Sequence, residues 1–219
     1  MTRDEAVAII QQQLGFRTTL SSEIVTNLKL AQTQLEAGPT KPWFLVSEDS
    51  YTDTEIGEQR IPFPTDFLEE TDDAVFRYVP DEPSVSDPEV DLKKDIYDTL
   101  RRNYMDVTTG MIEEGPPEAY AALGEYFRIF PIPDAAYRLR MIYYKQDTVL
   151  SSNVENGWLK WNPFILIGKA GNMIAGGPLR DATAMQIFSQ WEAEGHITLQ
   201  RQNVAREMAN RDMQVGGPH

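Results

Sequence analysis

The run from Tyr120 to Leu150, YAALGEYFRIFPIPDAAYRLRMIYYKQDTVL, constrains the fold more than any other stretch of this chain. Tyr126, Arg128 and Phe130 alternate with Phe127 and Ile129, and the alternation resumes from Tyr137 to Tyr144. Short alternating runs of aromatic and branched residues, bounded by Pro and Asp, are the signature of β-strands. Pro131 and Pro133 lack the N–H that a ladder needs, which puts them at a turn. The spacing predicts a hairpin in which Tyr126–Phe130 faces Tyr137–Tyr144 across Pro131-Ile132-Pro133-Asp134-Ala135.

The segments on either side read as helices. Thr2 with Glu5 three positions on forms a capping box, and Gly15 stands where a C-terminal stop belongs. A second helix starts at Ser21 or Ser22 and ends before Gly38-Pro39, with Ile24, Leu28, Ala31 and Leu35 on one face. After Ser151, Asn162-Pro163 is a helix start and Gly176-Gly177-Pro178 a stop; Gly168 and Gly171 between them permit close approach of a neighbouring helix. Asp181 caps a long C-terminal helix whose apolar face, Ala184, Ile187, Phe188 and Trp191, breaks near Gly195-His196.

Between these ends the character changes. Pro42–Val46 and Ala74–Val79 read as short strands, and Arg60–Phe67 holds two prolines that exclude a helix interior. Asp91 is placed to cap a short helix carrying Leu92, Ile96 and Leu100. The order predicts an α+β, mainly α fold. Residues 1–39 and 151–213 form an antiparallel helical bundle, residues 40–150 an inserted antiparallel β-rich module with a short helix near 91–104, and residues 214–219 a flexible tail.

Composition narrows the chemistry. The chain has no cysteine, so disulfides, thiolate nucleophiles and Cys-based metal sites are excluded together. Of its two histidines, His196 lies in a polar helix with no second imidazole and His219 is terminal, so neither reads as part of a metal or nucleophile system. Gly168-Lys169-Ala170-Gly171 lacks the spacing of a phosphate loop. Pairs such as Glu69/Glu70 and Glu113/Glu114 are expected by chance among 34 acidic residues. No catalytic residue, cofactor or metal is expected. No apolar run approaches the ~20 residues of a membrane span, nor does the N-terminus read as a signal peptide, so a soluble protein without membrane contact is expected.

The net charge of −14 is unevenly placed. Residues 46–100 hold 17 of the 34 acidic residues but only 4 of the 20 basic ones. Such a segment is either a solvated face or a wall that repels passing phosphates, and both readings disfavour tight nucleic-acid binding. The end of the C-terminal helix differs: Ile197, Val204 and Met208 stand among Gln, Asn, Arg201, Arg206 and Arg211. A helix too polar to bury itself is either solvated or docked on a partner, and Arg and Met are favoured at interfaces. Arginines five apart lie about 140° apart around a helix, so they do not form one stripe.

Scattered but ordered segments resemble the head-to-tail adaptor proteins of tailed phages, also called connector or head-completion proteins. Leu28-Lys29-Leu30-Ala31-Gln32 is similar to their second helix, and Ile61-Pro62-Phe63-Pro64-Thr65-Asp66-Phe67-Leu68 to a strand-to-turn segment. Gly124, Pro131-Ile132-Pro133-Asp134 and Tyr143-Tyr144 resemble the family's central hairpin. Asn156-Gly157-Trp158-Leu159 resembles the family's N-P-W-L turn, with Gly in place of Pro. The resemblance implies a structural, non-enzymatic virion protein, assembled in the host cytoplasm into a dodecameric homo-oligomeric ring. It would dock on the portal protein, extend the channel for double-stranded DNA without binding it specifically, seal the head after packaging and present a platform to tail proteins. It places portal docking at Arg201, Val204, Arg206, Met208 and Arg211. The acidic Pro-rich loop with Pro80, Asp81, Glu82, Pro83, Asp87 and Pro88 becomes a tail-facing contact. The alternatives are a tail-completion ring, which would ignore the portal, and a carboxylate-based cell-wall hydrolase.

Overall fold

The computed structural model describes residues 1–71, 75–79, 90–152 and 154–215, the side chains of 79, 207 and 209–215 excepted. Its described residues form an α+β, mainly α chain in two units: a helical unit of Met1–Leu45 with Gln146–His219, and a strand unit of Val46–Lys145.

In the helical unit, α1 (Arg3–Gln13) opens on the expected capping box: Thr2 Oγ1 accepts from the Glu5 N–H while the Glu5 carboxylate accepts from the Thr2 N–H. Gly15 follows it at φ +73°. A short 3₁₀ turn leads into α2 (Ser21–Glu36), whose buried residues Ile24, Leu28, Ala31 and Leu35 recur at helical spacing. The segment expected as a strand at Pro42–Val46 is instead a 3₁₀ turn over Trp43–Leu45. Pro42 and Leu45, three positions apart, are its buried residues, a spacing that suits a 3₁₀ turn and not the alternation of a strand, while Trp43 and Phe44 stay half-buried. Asn156 caps α4 (Gly157–Trp161) by accepting from the Trp158 and Leu159 N–H groups. Pro163 opens α5 (Pro163–Gly176), and α6 spans Ala182–Val215. Helix α5 is the hub: α1, α2, α4 and α6 all pack on it. Ile165, Leu166, Ile167, Ala170 and Ile174 are fully buried there.

A polar cluster sits inside this unit. Glu36 Oε1 accepts from Gln32 Nε2 at 2.8 Å and from the Asp147 N–H at 3.2 Å. Burial pushes the Glu36 carboxyl above its ordinary 4.5, the two hydrogen bonds opposing and the Asp147 carboxylate reinforcing the rise. A carboxyl with a raised folded pKa holds its proton more tightly when folded. Its share of stability is therefore present below the unfolded value and lost as pH rises through the folded one. Glu36→Gln keeps the acceptor oxygen and removes the charge. It is expected to gain on the wild type as pH rises from 4.5 toward neutrality, and to show no advantage below 4.5, in thermal melts across that range.

The strand unit contains two sheets. One has the order β1–β9–β4–β5, with β3 also on β9: β1 Val46–Asp53, β3 Phe67–Glu70, β4 Phe76–Val79, β5 Val90–Asp91 and β9 Arg138–Lys145. The other has the order β2–β8–β7–β6: β2 Arg60–Pro62, β6 Lys93–Lys94, β7 Ala119–Leu123 and β8 Tyr126–Phe130. All ladders are antiparallel except β6–β7. The inward residues of both sheets share one core: Phe76, Leu139, Met141 and Tyr143 from the first, Ile61, Tyr120, Phe127 and Ile129 from the second. On the outer face of the second sheet, α3 (Tyr97–Asn103) covers Ala119, Ala121 and Phe130 through Leu100, Tyr97 and Tyr104.

Two expectations are corrected here. Strand β8 does not pair with β9; the two lie in different sheets, and β8 pairs with β7 through Leu123↔Tyr126. The two-residue loop Gly124-Glu125 closes that hairpin, with Gly124 at φ +65° as such tight turns require. The Pro131–Ala135 segment instead carries the chain between sheets. It makes its own pairings: the Gly115 N–H donates to the Ile132 carbonyl, the Ile132 N–H to Glu113, and the Gly57 N–H to the Pro133 carbonyl. Likewise the helix expected from Asp91 begins only at Tyr97, because Val90–Asp91 and Lys93–Lys94 are edge strands that bury Leu92 between them.

Candidate docking surface on the C-terminal helix

Asp181 starts α6 as expected, its Oδ1 accepting from the N–H groups of Thr183 (3.1 Å) and Ala184 (3.0 Å). The first half of the helix is seated on α5 by shape. A Cβ on Gly168 would lie 2.5 Å from the Glu192 nitrogen, and one on Gly195 would lie 2.6 Å from Ile165. Asn162 adds a buried hydrogen bond to the Gly195 carbonyl at 2.7 Å.

The second half is held differently. Leu199, 2% exposed, is its last fully buried apolar contact among the described residues. One turn further, Asn203 acts as a clamp: its Nδ2 donates to the Lys41 carbonyl at 3.0 Å and its Oδ1 accepts from the Trp43 N–H at 3.4 Å. The Arg206 guanidinium lies 3.3 Å from the centroid of the Trp43 ring. Trp43 meets Trp161 at 5.0 Å, and Lys160 sits over Trp161 at 5.3 Å. The result is a cation–aromatic–aromatic–cation chain, its two rings meeting edge-on, that fastens this part of α6 to the helical unit. A cation–π contact of this exposure is worth about 0.5–1 kcal/mol. Trp43→Ala is therefore expected to speed amide exchange at Asn203–Arg206 while leaving the segment around Phe188 protected, read by hydrogen-exchange mass spectrometry.

Opposite the clamp the helix is bare. Ile197, Val204 and Met208 are 49%, 47% and 61% exposed, and Arg201 lies exposed between them. Successive residues turn by about 100°, so these four fall within about 60° of arc, facing away from Leu199, Asn203 and Arg206. Of the sequence-predicted docking residues, the structure thus brings Arg201, Val204 and Met208 to one face. It seats Arg206 on Trp43; the side chain of Arg211 lies outside the described residues. The proposed tail-facing residues Pro80, Asp81, Glu82, Pro83, Asp87 and Pro88 lie outside them as well. Sequence reasoning missed Trp43, Trp161 and Asn203. It also passed over the four-three-four spacing of Ile197, Arg201, Val204 and Met208, which was visible in the sequence.

The strand unit carries a second exposed feature. The loop from Met105 to Ile112 is closed by an antiparallel bridge between those residues. Asp106 Oδ1 accepts from the Thr108 N–H at 2.7 Å, which holds the Asp106 carboxyl below its ordinary value. Val107 and Met111 project from the loop, 97% and 72% exposed. Tyr104 beneath it is pushed up to about 12, by burial first and then by its hydrogen bond to Glu118. Among the described residues no group of three or more His, Asp or Glu is placed to hold a metal ion, and no helix is long and apolar enough to cross a membrane.

The second half of α6 is thus clamped along one side and bare along the other. The comparison with known families gives the class a name: the model of the SU10 adaptor protein family matches residues 1–212, and the chain belongs to that family. The family is one of phage head–tail adaptors, which makes this chain a phage adaptor protein, a structural component of the virion. No curated protein matches it.

Proposed function

We propose that this chain assembles into a ring between the portal and the tail, extends the DNA channel, seals the head after packaging, and turns over no substrate. The observation that carries this reading is the bare face of α6, held out by its own clamp. Arg201, Val204 and Met208, continued in sequence by Arg211, form the portal-docking set, and Arg206 fixes the helix that presents them. The acid excess of residues 46–100 supports passage of DNA without retention, since carboxylates repel phosphates over about a Debye length.

Negative-stain microscopy of the chain mixed with the portal protein of the same virus tests it, with each component alone as control. Added ring density on the narrow end of the portal is expected, and the copies can be counted from it. Unchanged portal rings at micromolar concentration would sink the portal-adaptor reading in favour of a tail-completion ring.

A further inference from the structure

We propose that Asn156-Gly157 is a latent deamidation site, held shut by the cap of α4 and open to reaction only when that cap comes apart. The inference stands apart from the adaptor reading. Of the eight asparagines in the chain, only Asn156 is followed by glycine. Spontaneous loss of an asparagine amide begins with attack of the next residue's backbone nitrogen on the side-chain amide carbon. A Cβ on that next residue crowds the attack, and glycine has none. The Gly157 nitrogen gives up its proton and bonds to Asn156 Cγ, and the amide nitrogen takes up a proton and leaves as ammonia. Water then opens the cyclic imide at either carbonyl. The products are aspartate, or isoaspartate with the backbone rerouted through the side chain, and no oxidant or reductant enters.

The folded helical unit keeps the reacting atoms from lining up. Asn156 is fully buried. Its Oδ1 accepts from the Trp158 N–H at 3.0 Å and the Leu159 N–H at 3.4 Å, and its Nδ2 donates to the Thr148 carbonyl at 2.6 Å. The backbone around it is tied as well: Thr148 Oγ1 donates to the Glu155 carbonyl, and the Lys160 N–H to the Asn156 carbonyl. Gly157 has no room to shift toward the amide, because a Cβ there would already lie 2.8 Å from the Phe44 ring. Phe44 in turn meets the buried Trp158 edge-on at 5.2 Å. Turning the Asn156 side chain onto the Gly157 nitrogen breaks all three of its hydrogen bonds. That amounts to undoing the cap.

Reaction then makes the opening one-way. The product sets a carboxylate oxygen against the Thr148 carbonyl, where the amide had donated, so that hydrogen bond is lost. The new charge also stands beside Asp147, whose Oδ2 shares the Trp158 N–H with Asn156 Oδ1. Glu36 accepts from the Asp147 N–H, so a third acidic group joins two already close together. Lys160, the cation of α4, is taken by Glu155 at 3.1 Å. A structural component of a virion is not replaced once assembled, so each copy that has opened and reacted keeps the mark.

The test follows the full chain at neutral pH in native buffer and in urea. Each asparagine is monitored by peptide mass spectrometry, with isoaspartate separated by chromatography. In urea, Asn156 is expected to react first of the eight. In native buffer it should react at least about a hundredfold more slowly, because the reaction tracks the small open population. Phe44→Ala, which removes the ring against Gly157, should speed the native reaction about tenfold or more and leave the rate in urea unchanged. Subdenaturing urea on the wild type gives the same acceleration without a variant. Asn156→Asp, the product itself, should lower the urea midpoint read by tryptophan fluorescence. Equal rates in native buffer and urea, or another asparagine reacting as fast as Asn156 in urea, overturns the site. An unshifted midpoint in Asn156→Asp overturns its one-way character.

Discussion

Phe127→Ala is expected to cost the strand unit about 3–5 kcal/mol, the largest single effect in that unit. Phe127 is fully buried where the two sheets meet, and its ring lies 4.5 Å from Phe63, 4.9 Å from Phe76, 5.6 Å from Phe67 and 6.0 Å from Tyr120. Truncation removes the central member of that cluster and leaves a cavity that residues of both sheets would have to fill. Phe127→Leu, which keeps most of the volume, should cost only about 1.5 kcal/mol. The readout is unusually well separated. All four tryptophans, Trp43, Trp158, Trp161 and Trp191, belong to the helical unit, and all nine tyrosines fall between residues 46 and 145. In urea titrations the tyrosine-monitored transition should move to lower denaturant. A loss under 1 kcal/mol would mean that the two sheets do not share the core described above.

The second large effect belongs to the helical unit. Gly168→Ala is expected to destabilise it by about 2–3 kcal/mol, although alanine is the better helix former by about 1 kcal/mol. The added methyl would meet backbone atoms of α6, the Glu192 nitrogen at 2.5 Å and the Phe188 carbonyl oxygen at 2.7 Å, so the helices must separate. Gly176→Ala is the control, because the nearest atom there is the thioether sulfur of Met185 at 3.3 Å, the end of a flexible side chain. That variant should stay within about 1 kcal/mol of the wild type. Tryptophan fluorescence in urea distinguishes them: a shifted midpoint for Gly168→Ala and an unshifted one for Gly176→Ala. Equal midpoints would show that α5 and α6 do not approach through Gly168.

Helices were legible in the sequence where their signals are local. The Thr2/Glu5 box, Asn162-Pro163 and Asp181 each state a boundary within a few residues, and the structure uses all of them. Gly168 was readable as a close approach for the same reason. Strand partners were not legible, because a partner is a nonlocal choice. Strand β8 could be read as a strand, yet its true neighbour is Ala-Tyr-Ala-Ala-Leu, a segment poor in strand-favouring residues. The prolines that seemed to mark a turn mark a crossing between sheets. Leu92, Ile96 and Leu100 fit helical spacing, but Leu92 is buried by strands and Ile96 is 72% exposed. On α6 the angular separation of Arg201 and Arg206 followed from helix geometry alone. The ring beneath Arg206 did not, since its partner Trp43 lies far away in sequence, as does the Trp43 N–H that Asn203 accepts from 160 positions away.

The strand unit begins and ends in strands that pair with each other, Val46 opposite Tyr144 along β1 and β9. Opposed residues on paired strands are about 5 Å apart, so Leu45 and Gln146 leave the module from neighbouring points. The helical unit is interrupted in sequence, and α2 meets its packing partner α5 only after the chain has made all of Val46–Lys145. While that insertion is unfolded, closing it carries the loop entropy of a long flexible segment. Once β1 and β9 have paired, it acts as a short staple. Pairing of β1 with β9 thus lowers the entropy of bringing α2 to α5, and replacing Val46–Lys145 with a tight turn is expected to do the same.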